Sequence, residues 1–82
     1  MTAGEHDVTL MSRVRCHLCE DAHAVVERVC AELGVPLTVT DVDTDPLLRA
    51  AYGDRVPVLL VDGAEHGHFR VDEHRLRRAL AR

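Results

Sequence analysis

Apolar and polar residues follow two different periods along this chain, and the change of period separates strands from helices. The short apolar run Val8-Thr9-Leu10-Met11 is followed by polar residues, which predicts a buried first strand. From about Leu18 to Leu33 apolar residues recur every three or four positions, which predicts an amphipathic helix. Gly34 and Pro36 are typical of a helix end, so we expect this helix to stop there.

Shorter elements follow in the second half of the chain. Residues 37–43 alternate and are rich in β-branched side chains, which predicts a second strand. Asp45 and Pro46 are typical of a helix cap followed by the first helical residue, and Gly53 would close that short helix. The continuous apolar run Val58–Val61 favours a central strand that is covered on both faces.

The C-terminal part of the chain predicts a hairpin and a final helix. Asp62-Gly63 would turn the chain, and His66 to Val71 would return as an antiparallel edge strand. Asp72 is the expected cap of the last helix. The resulting order, β-α-β-α-β-β-α, predicts an α/β fold with a four-stranded mixed sheet flanked by helices. Its first two strands should be parallel through a crossover.

Size and composition fit one small globular domain. A chain of 82 residues has no room for a second core, so we expect a single domain over residues 1–82. A net charge of −4 disfavours nucleic acid as a partner, because neutralising phosphates requires a basic face. No apolar run approaches the roughly 20 residues that cross a bilayer. The N-terminus lacks the basic start and apolar core of a signal peptide. We therefore expect a cytoplasmic monomer that binds no membrane.

The candidate chemistry begins at Cys16-His17-Leu18-Cys19, where the first strand gives way to the first helix. A thiol just ahead of a helix meets unpaired N–H groups and the positive end of the helix dipole, which stabilise the thiolate. Arg13 and Arg15 would add to this positive potential. Cys16 is therefore the predicted nucleophile. Cys19, one turn into the helix and more buried, is the predicted resolving thiol.

Two other functions are compatible with the same cysteine pair. One is a carrier of a soft metal such as zinc or copper, with His17 or His23 near the two sulfurs. Carriers of this kind end in a strand, however, whereas this chain ends in a helical pattern. The other is an interaction domain without turnover, which the retention of both thiols disfavours. We expect no bound metal and interpret the histidines as surface residues.

The third cysteine lies too far along the helix to join the pair. Cys30 follows Cys19 by eleven residues, which is about 16 Å along a helix axis at the usual rise per residue. It cannot share a disulfide or a metal ion with Cys19. We interpret Cys30 as a small residue of the core.

Two segments resemble a known family. The segment Cys16-His17-Leu18-Cys19-Glu20-Asp21-Ala22 and the segment Arg55-Val56-Pro57-Val58-Leu59 are similar to the glutaredoxin-like branch of the thioredoxin superfamily. More narrowly, they resemble short bacterial glutaredoxin-like proteins with a Cys-His-Leu-Cys motif. The likeness covers about residues 8–81. It implies a thioredoxin fold and a disulfide oxidoreductase with a redox-active pair that acts in cell redox homeostasis.

The resemblance also implies roles for individual residues. Cys16 and Cys19 match the catalytic pair. Arg13 stands where glutaredoxins carry a lysine that assists the thiolate and binds glutathione. Val56 and Pro57 match the residue and the cis-proline that face the active cysteine and present the backbone to substrate. Arg13, Val56 and Pro57 are thus the expected substrate-binding residues.

The chain also departs from the glutaredoxin pattern in two places. His17 and Leu18 replace the usual Pro-Tyr or Gly-Tyr between the cysteines. The Gly-Gly-x-Asp segment with which glutaredoxins cradle glutathione is not present, and Phe69-Arg70-Val71-Asp72 stands nearby instead. The expected partner is therefore a disulfide-containing protein or a low-molecular-weight thiol. No cofactor is expected to be bound, and glutathione is one candidate reductant.

Overall fold

A computed structural model describes residues 6–81 as one sheet with helices on both faces. In chain order the elements are β1 (Val8–Ser12), α1 (His17–Leu33), β2 (Leu37–Asp41), α2 (Pro46–Tyr52), β3 (Val58–Val61), β4 (Ala64–His68) and α3 (Glu73–Leu80). A short 3₁₀ turn, Val42–Thr44, joins β2 to α2. The predicted order of strands and helices is confirmed.

The four strands form a mixed sheet in the order β2-β1-β3-β4. β1 runs parallel to β2 and antiparallel to β3, and β3 runs antiparallel to β4. The parallel pair and the antiparallel hairpin are both as predicted. β1 is a central strand, because it lies between β2 and β3. The loop that carries Cys16 follows the C-terminal end of β1, so it lies in the middle of that end of the sheet.

Side chains on the two faces of the sheet form two apolar clusters. The larger one packs α1 and α3 against the sheet, and it includes Val8, Leu10, Val26, Leu59 and Leu76. The smaller one lies on the opposite face, where Met11, Val42 and Val58 contact residues of α2. Since Leu10 and Met11 are adjacent in β1, they point to opposite faces, which is why one strand serves both clusters.

The helix ends agree with the local signals in the sequence. Gly34 closes α1 in the left-handed conformation, with a φ of 69°, and its N–H donates to the carbonyl of Cys30. The side chains of Asp45 and Asp72 accept backbone N–H groups in the first turns of α2 and α3. These caps fix where α1 ends and where α2 and α3 begin. None of the helices within residues 6–81 has the length and apolar character to span a membrane.

The edge strand differs from the prediction. It spans Ala64–His68 rather than His66 to Val71. Asp62 and Gly63 both have positive φ, which is typical of a two-residue hairpin turn, so pairing resumes at once with Ala64 opposite Val61. The strand then ends because Phe69 takes a φ of 64°, outside the extended region.

Candidate active site

Cys16 is the cap of helix α1. Its backbone is extended, with φ −121° and ψ 108°, and its Sγ accepts the N–H of Cys19 at 3.2 Å. Serine, threonine, aspartate and asparagine usually fill this role, because an oxygen there satisfies one of the unpaired N–H groups of the first turn. Here a sulfur occupies the same position. The first turn of α1 therefore donates directly to the predicted nucleophile.

Cys16 and Cys19 are joined as a disulfide, with their Cα atoms 5.1 Å apart. Cys16 is half-buried, whereas Cys19 is 2% exposed and faces the core. The expected difference in exposure between the two residues is thus present. An incoming molecule meets the sulfur of Cys16 before that of Cys19.

Arg13 lies on the same loop, but its guanidinium is engaged elsewhere. Its Nε and Nη2 donate to the two carboxylate oxygens of Asp43 at 2.8 and 2.9 Å, and its Nη1 donates to the carbonyl of Gly53 at 3.3 Å. Hydrogen bonds from Arg13 lower the pKa of the Asp43 carboxyl. This pair joins the end of β1 to the turn after β2. It uses three of the five N–H donors of the arginine.

A cavity of about 400 Å³ lies beside the disulfide. Arg13, Arg15, Cys19 and His23 are among the residues that line it. Arg15, which precedes Cys16, takes a left-handed φ of 61°, and this turn directs the chain from β1 into α1. Arg13 therefore lines the same cavity as the buried cysteine, although no hydrogen bond joins Arg13 to Cys16 within residues 6–81.

The Val56–Pro57 peptide bond is cis, as the resemblance implied. Met11 is opposite Val58 in the β1–β3 pairing, so Pro57 lies at the end of β3 that adjoins the exit of β1. The carbonyl of Pro57 accepts the N–H of Phe69 at 2.8 Å, and Val56 packs against the smaller apolar cluster. Pro57 and the cysteine loop therefore lie at the same end of the sheet, where β1 ends and β3 begins. The roles of Val56 and Pro57 in binding substrate stay predictions.

Sequence reasoning did not include Phe69 among the expected substrate-binding residues. It is the only phenylalanine of the chain, it is 44% exposed, and it lines a groove of about 180 Å³ together with Leu18 of the cysteine motif. The polar residues Asp21 and Arg70 border the same groove. The signal available in the sequence was an aromatic residue between the polar residues His68 and Arg70. Its positive φ and the exposure of its ring could not be read from that pattern.

The described part of the chain, residues 6–81, contains no group of three His, Cys, Asp or Glu side chains placed to hold one metal ion. His17 is almost fully exposed beside Glu20, and His23 lies 3.2 Å from Glu27. The side chains that the metal-carrier alternative would add to the sulfurs thus face carboxylates of α1.

Cys30 is free and buried, and it belongs to the larger apolar cluster. Burial raises the pKa of its thiol. The prediction that it is a core residue is confirmed.

Comparisons with known proteins agree with this architecture. A family model described as "Glutaredoxin-like domain (DUF836)" matches residues 7–81. An uncharacterized protein from Mycobacterium tuberculosis is 42% identical over 80 residues, which cover 92% of this chain and 82% of the relative.

Solved structures are similar over most of the chain. An X-ray structure of a structural-genomics target protein from X. campestris is 34% identical in sequence and has a TM-score of 0.72. The match covers 90% of this chain and 95% of the X. campestris chain. A mutant thioredoxin from Halobacterium salinarum is 25% identical in sequence and has a TM-score of 0.70. The match covers 96% of this chain and 74% of the thioredoxin chain. The chain has the α/β thioredoxin fold and belongs to the glutaredoxin-like domain family.

Proposed function

We propose that this member of the glutaredoxin-like domain family is a thiol–disulfide oxidoreductase, with Cys16 as the attacking thiol and Cys19 as the resolving thiol. The observation that carries the proposal is the position of Cys16 Sγ, which caps α1 and accepts a backbone N–H at 3.2 Å. A hydrogen bond and a helix dipole that favour negative charge lower the cost of the thiolate, which is the reactive form.

In the first step the thiolate of Cys16 attacks one sulfur of a substrate disulfide. A bond forms between Cys16 Sγ and that sulfur, the substrate S–S bond breaks, and the other sulfur leaves as a thiolate that takes a proton from water. The half-buried position of Cys16 makes this the accessible sulfur, while Cys19 is shielded by the core. The product is a mixed disulfide between protein and substrate.

In the second step Cys19 gives up its proton and attacks Cys16 Sγ. The bond between Cys16 and the substrate breaks, the substrate's second thiol is released, and the Cys16–Cys19 disulfide remains. The Cα separation of 5.1 Å is within the usual range for a disulfide, so the placement of the two residues at the start of α1 accommodates the bond. The two electrons that reduced the substrate have come from the two cysteines.

A thiol reductant then returns the pair to the reduced state. We propose a low-molecular-weight thiol for this step, with glutathione as one candidate, and a disulfide-containing protein or small disulfide as substrate. Arg13 would offer its two unused N–H donors to a carboxylate on either molecule, and the Val56–Pro57 backbone would face the bound chain. We further propose that the protein acts as a monomer in the cytoplasm, where such reductants are abundant.

The mixed disulfide provides the direct test. In Cys19→Ser the first step remains possible and the second does not, so a chromogenic disulfide should label the protein once and stay attached. Intact-protein mass spectrometry should show the substrate's mass on Cys16. The matched variant Cys16→Ser should acquire no adduct at residue 19, because that sulfur is buried.

Turnover by the wild type with excess dithiol completes the test. Continuous reduction of the same disulfide is expected, and it should be lost in Cys16→Ser, which cannot form the mixed disulfide. A wild-type protein that binds zinc or copper through its cysteine pair but exchanges no disulfide would contradict the proposal and favour a metal carrier.

A further inference from the structure

The groove that Leu18 and Phe69 line adjoins the candidate active site on two sides. Leu18 lies between the two cysteines of the motif, two residues after Cys16, so the groove begins within one helical turn of the reacting sulfur. Phe69 lies beside Pro57, because its N–H donates to the Pro57 carbonyl at 2.8 Å. A polypeptide bonded to Cys16 can therefore place a residue next to its own sulfur in this groove.

The groove offers an apolar surface that is only partly covered. Five of the seven residues that line it have apolar side chains, namely Leu18, Ala22, Val25, Phe69 and Val71. Ala22 is buried, Leu18 and Val25 are half-buried, and the Phe69 ring remains 44% exposed. Covering such surface with an apolar group removes it from water, which favours binding.

The size of the groove suits one side chain. Its volume is about 180 Å³. Pockets that hold whole small molecules usually measure about 300–1,000 Å³, whereas an apolar cavity of roughly 150 Å³ holds a benzene molecule. The groove therefore accommodates one aliphatic or aromatic side chain and is too small for an entire tripeptide such as glutathione.

The backbone around Phe69 holds its ring in place. The N–H of Arg70 donates to the carbonyl of His68 at 2.8 Å, which closes a three-residue turn with Phe69 at its centre and a φ of 64°. A γ-turn with positive φ is rare, and a bulky residue seldom adopts it. The His68 ring also packs edge-to-face on the Phe69 ring, with the centroids 4.8 Å apart. Rare backbone conformations of this kind cluster at ligand-binding sites, and a ring that is already ordered loses little freedom when it is covered.

Two side chains of opposite charge border the groove. Asp21 and Arg70 are both exposed. Their charges cancel, so together they provide no net attraction for an anion such as glutathione, which carries two carboxylates and one ammonium group. A carboxylate that accepts and a guanidinium that donates match the N–H and C=O groups of a peptide backbone. The charges at this groove thus favour an uncharged stretch of polypeptide.

We propose that this groove accepts an apolar side chain next to the reacting cysteine of a substrate polypeptide, with Phe69 and Leu18 as its specificity-determining residues. The inference rests on the proposed disulfide chemistry and adds the substrate class. A polypeptide disulfide flanked by apolar residues should react faster than a polar one or a glutathione disulfide, because the apolar side chain is held in the groove while the sulfurs exchange.

Three chromogenic disulfides test this selection. Each joins nitrothiobenzoate to a different thiol: a short peptide with its cysteine between two leucines, the same peptide with two serines instead, or glutathione. The Cys16 thiolate bonds to the peptide or glutathione sulfur, the S–S bond of the probe breaks, and nitrothiobenzoate leaves as a coloured thiolate. Each second-order rate constant is divided by that of the same probe with mercaptoethanol, which removes differences in intrinsic reactivity. We expect the leucine probe to exceed each of the others by at least about tenfold.

Variants assign the preference to the groove. Phe69→Ala should reduce the preference for leucine over serine to within about threefold and leave the rate with the serine probe nearly unchanged. The control Leu47→Ala truncates another exposed apolar residue, which is 78% exposed on α2 and does not line the groove, so it should keep the full preference. Equal rates with the leucine and serine probes, a faster rate with the glutathione probe, or an unchanged preference in Phe69→Ala would overturn the proposal.

A trapped complex gives a reading that does not depend on rates. Cys19→Ser should hold the leucine peptide on Cys16 as a mixed disulfide, and NMR should then show contacts between the leucine methyl groups and the Phe69 ring. A complex without these contacts would overturn the proposal. A wild type that reacts with none of the three probes would overturn the proposed function and this inference together, whereas equal rates with all three would overturn the inference alone.

Discussion

The two ends of helix α1 carry cysteines in opposite environments. At the N-terminal end Cys16 is half-buried, caps the helix and accepts a backbone N–H. Near the C-terminal end Cys30 is 2% exposed among apolar side chains, and burial raises the pKa of its thiol. We propose that the same side chain ionises readily at the start of the helix and remains neutral near its end.

This difference comes from the helix and the sheet rather than from the residue type. The N-terminus of a helix offers unpaired N–H groups and positive potential, whereas the C-terminus offers neither. The ion pair between Arg13 and Asp43 further distinguishes the first end, because it holds the preceding loop against the turn after β2. The last turns of α1 are held by apolar packing instead.

Exchanging each thiol for a smaller group gives the largest expected contrast. Cys16→Ser should reduce the rate of disulfide reduction by at least about a thousandfold, because a serine hydroxyl does not ionise at neutral pH and forms no disulfide. Cys30→Ala should keep the rate within about twofold, because a buried thiol contributes packing alone. The measurement is reduction of a chromogenic disulfide at neutral pH. Comparable losses in both variants would remove the distinction between the two ends.

The stability of the fold should respond in the opposite way. Cys30→Ser buries a hydroxyl among apolar side chains, and we expect a loss of about 1–3 kcal/mol in the free energy of unfolding. Cys16→Ser should cost less, because a serine is a good helix cap. Urea unfolding of the reduced proteins measures both values. A Cys16→Ser variant that is less stable than Cys30→Ser would show that Cys16 contributes more to the stability of the fold than Cys30 does.

The smallest expected effect is the loss of stability in acid that comes from the ion pair between Arg13 and Asp43, near the N-terminal end of α1. Because Arg13 lowers the pKa of Asp43, the pair stabilises the folded state above the unfolded pKa of about 4 and is lost as the pH falls through the folded value. The difference in unfolding free energy between wild type and Asp43→Asn should therefore be present at pH 6. It should vanish in strong acid, where the side chain of residue 43 is neutral in both proteins.

Unfolding curves measured at several pH values check this window. The control Asp21→Asn changes an exposed carboxylate of α1 and should give a difference that depends less on pH. An Asp43→Asn difference that stays constant from pH 6 into strong acid would contradict the assigned role of the ion pair.

Local signals were sufficient to predict most of the fold. The Gly34 stop, the Asp45 and Asp72 caps and the apolar run of β3 each depend on residues close together in sequence, and the structure confirms them. The edge strand was misplaced because the bounds of β4 depend on backbone conformations at Asp62 and Phe69. The Asp62-Gly63 turn was expected, but a positive φ is unusual for a phenylalanine, so no local signal marked the end of the strand at Phe69.

The part of the candidate site that depends on residues close together in sequence was also predictable. The cap position of Cys16 and the burial of Cys19 follow from their spacing at the start of a helix. The partner of Arg13 did not follow, since Asp43 is thirty residues away and meets it only after β1 and β2 pair.

The pH dependence of alkylation in the fully reduced protein tests the central claim most directly. Iodoacetamide reacts with thiolates, and peptide mapping by mass spectrometry follows Cys16 and Cys30 separately. We predict that Cys16 titrates clearly below the ordinary thiol pKa of about 8.5, while Cys30 stays unmodified in the folded protein. A Cys16 that titrates at 8.5 or above would contradict the claim that the start of α1 stabilises its thiolate.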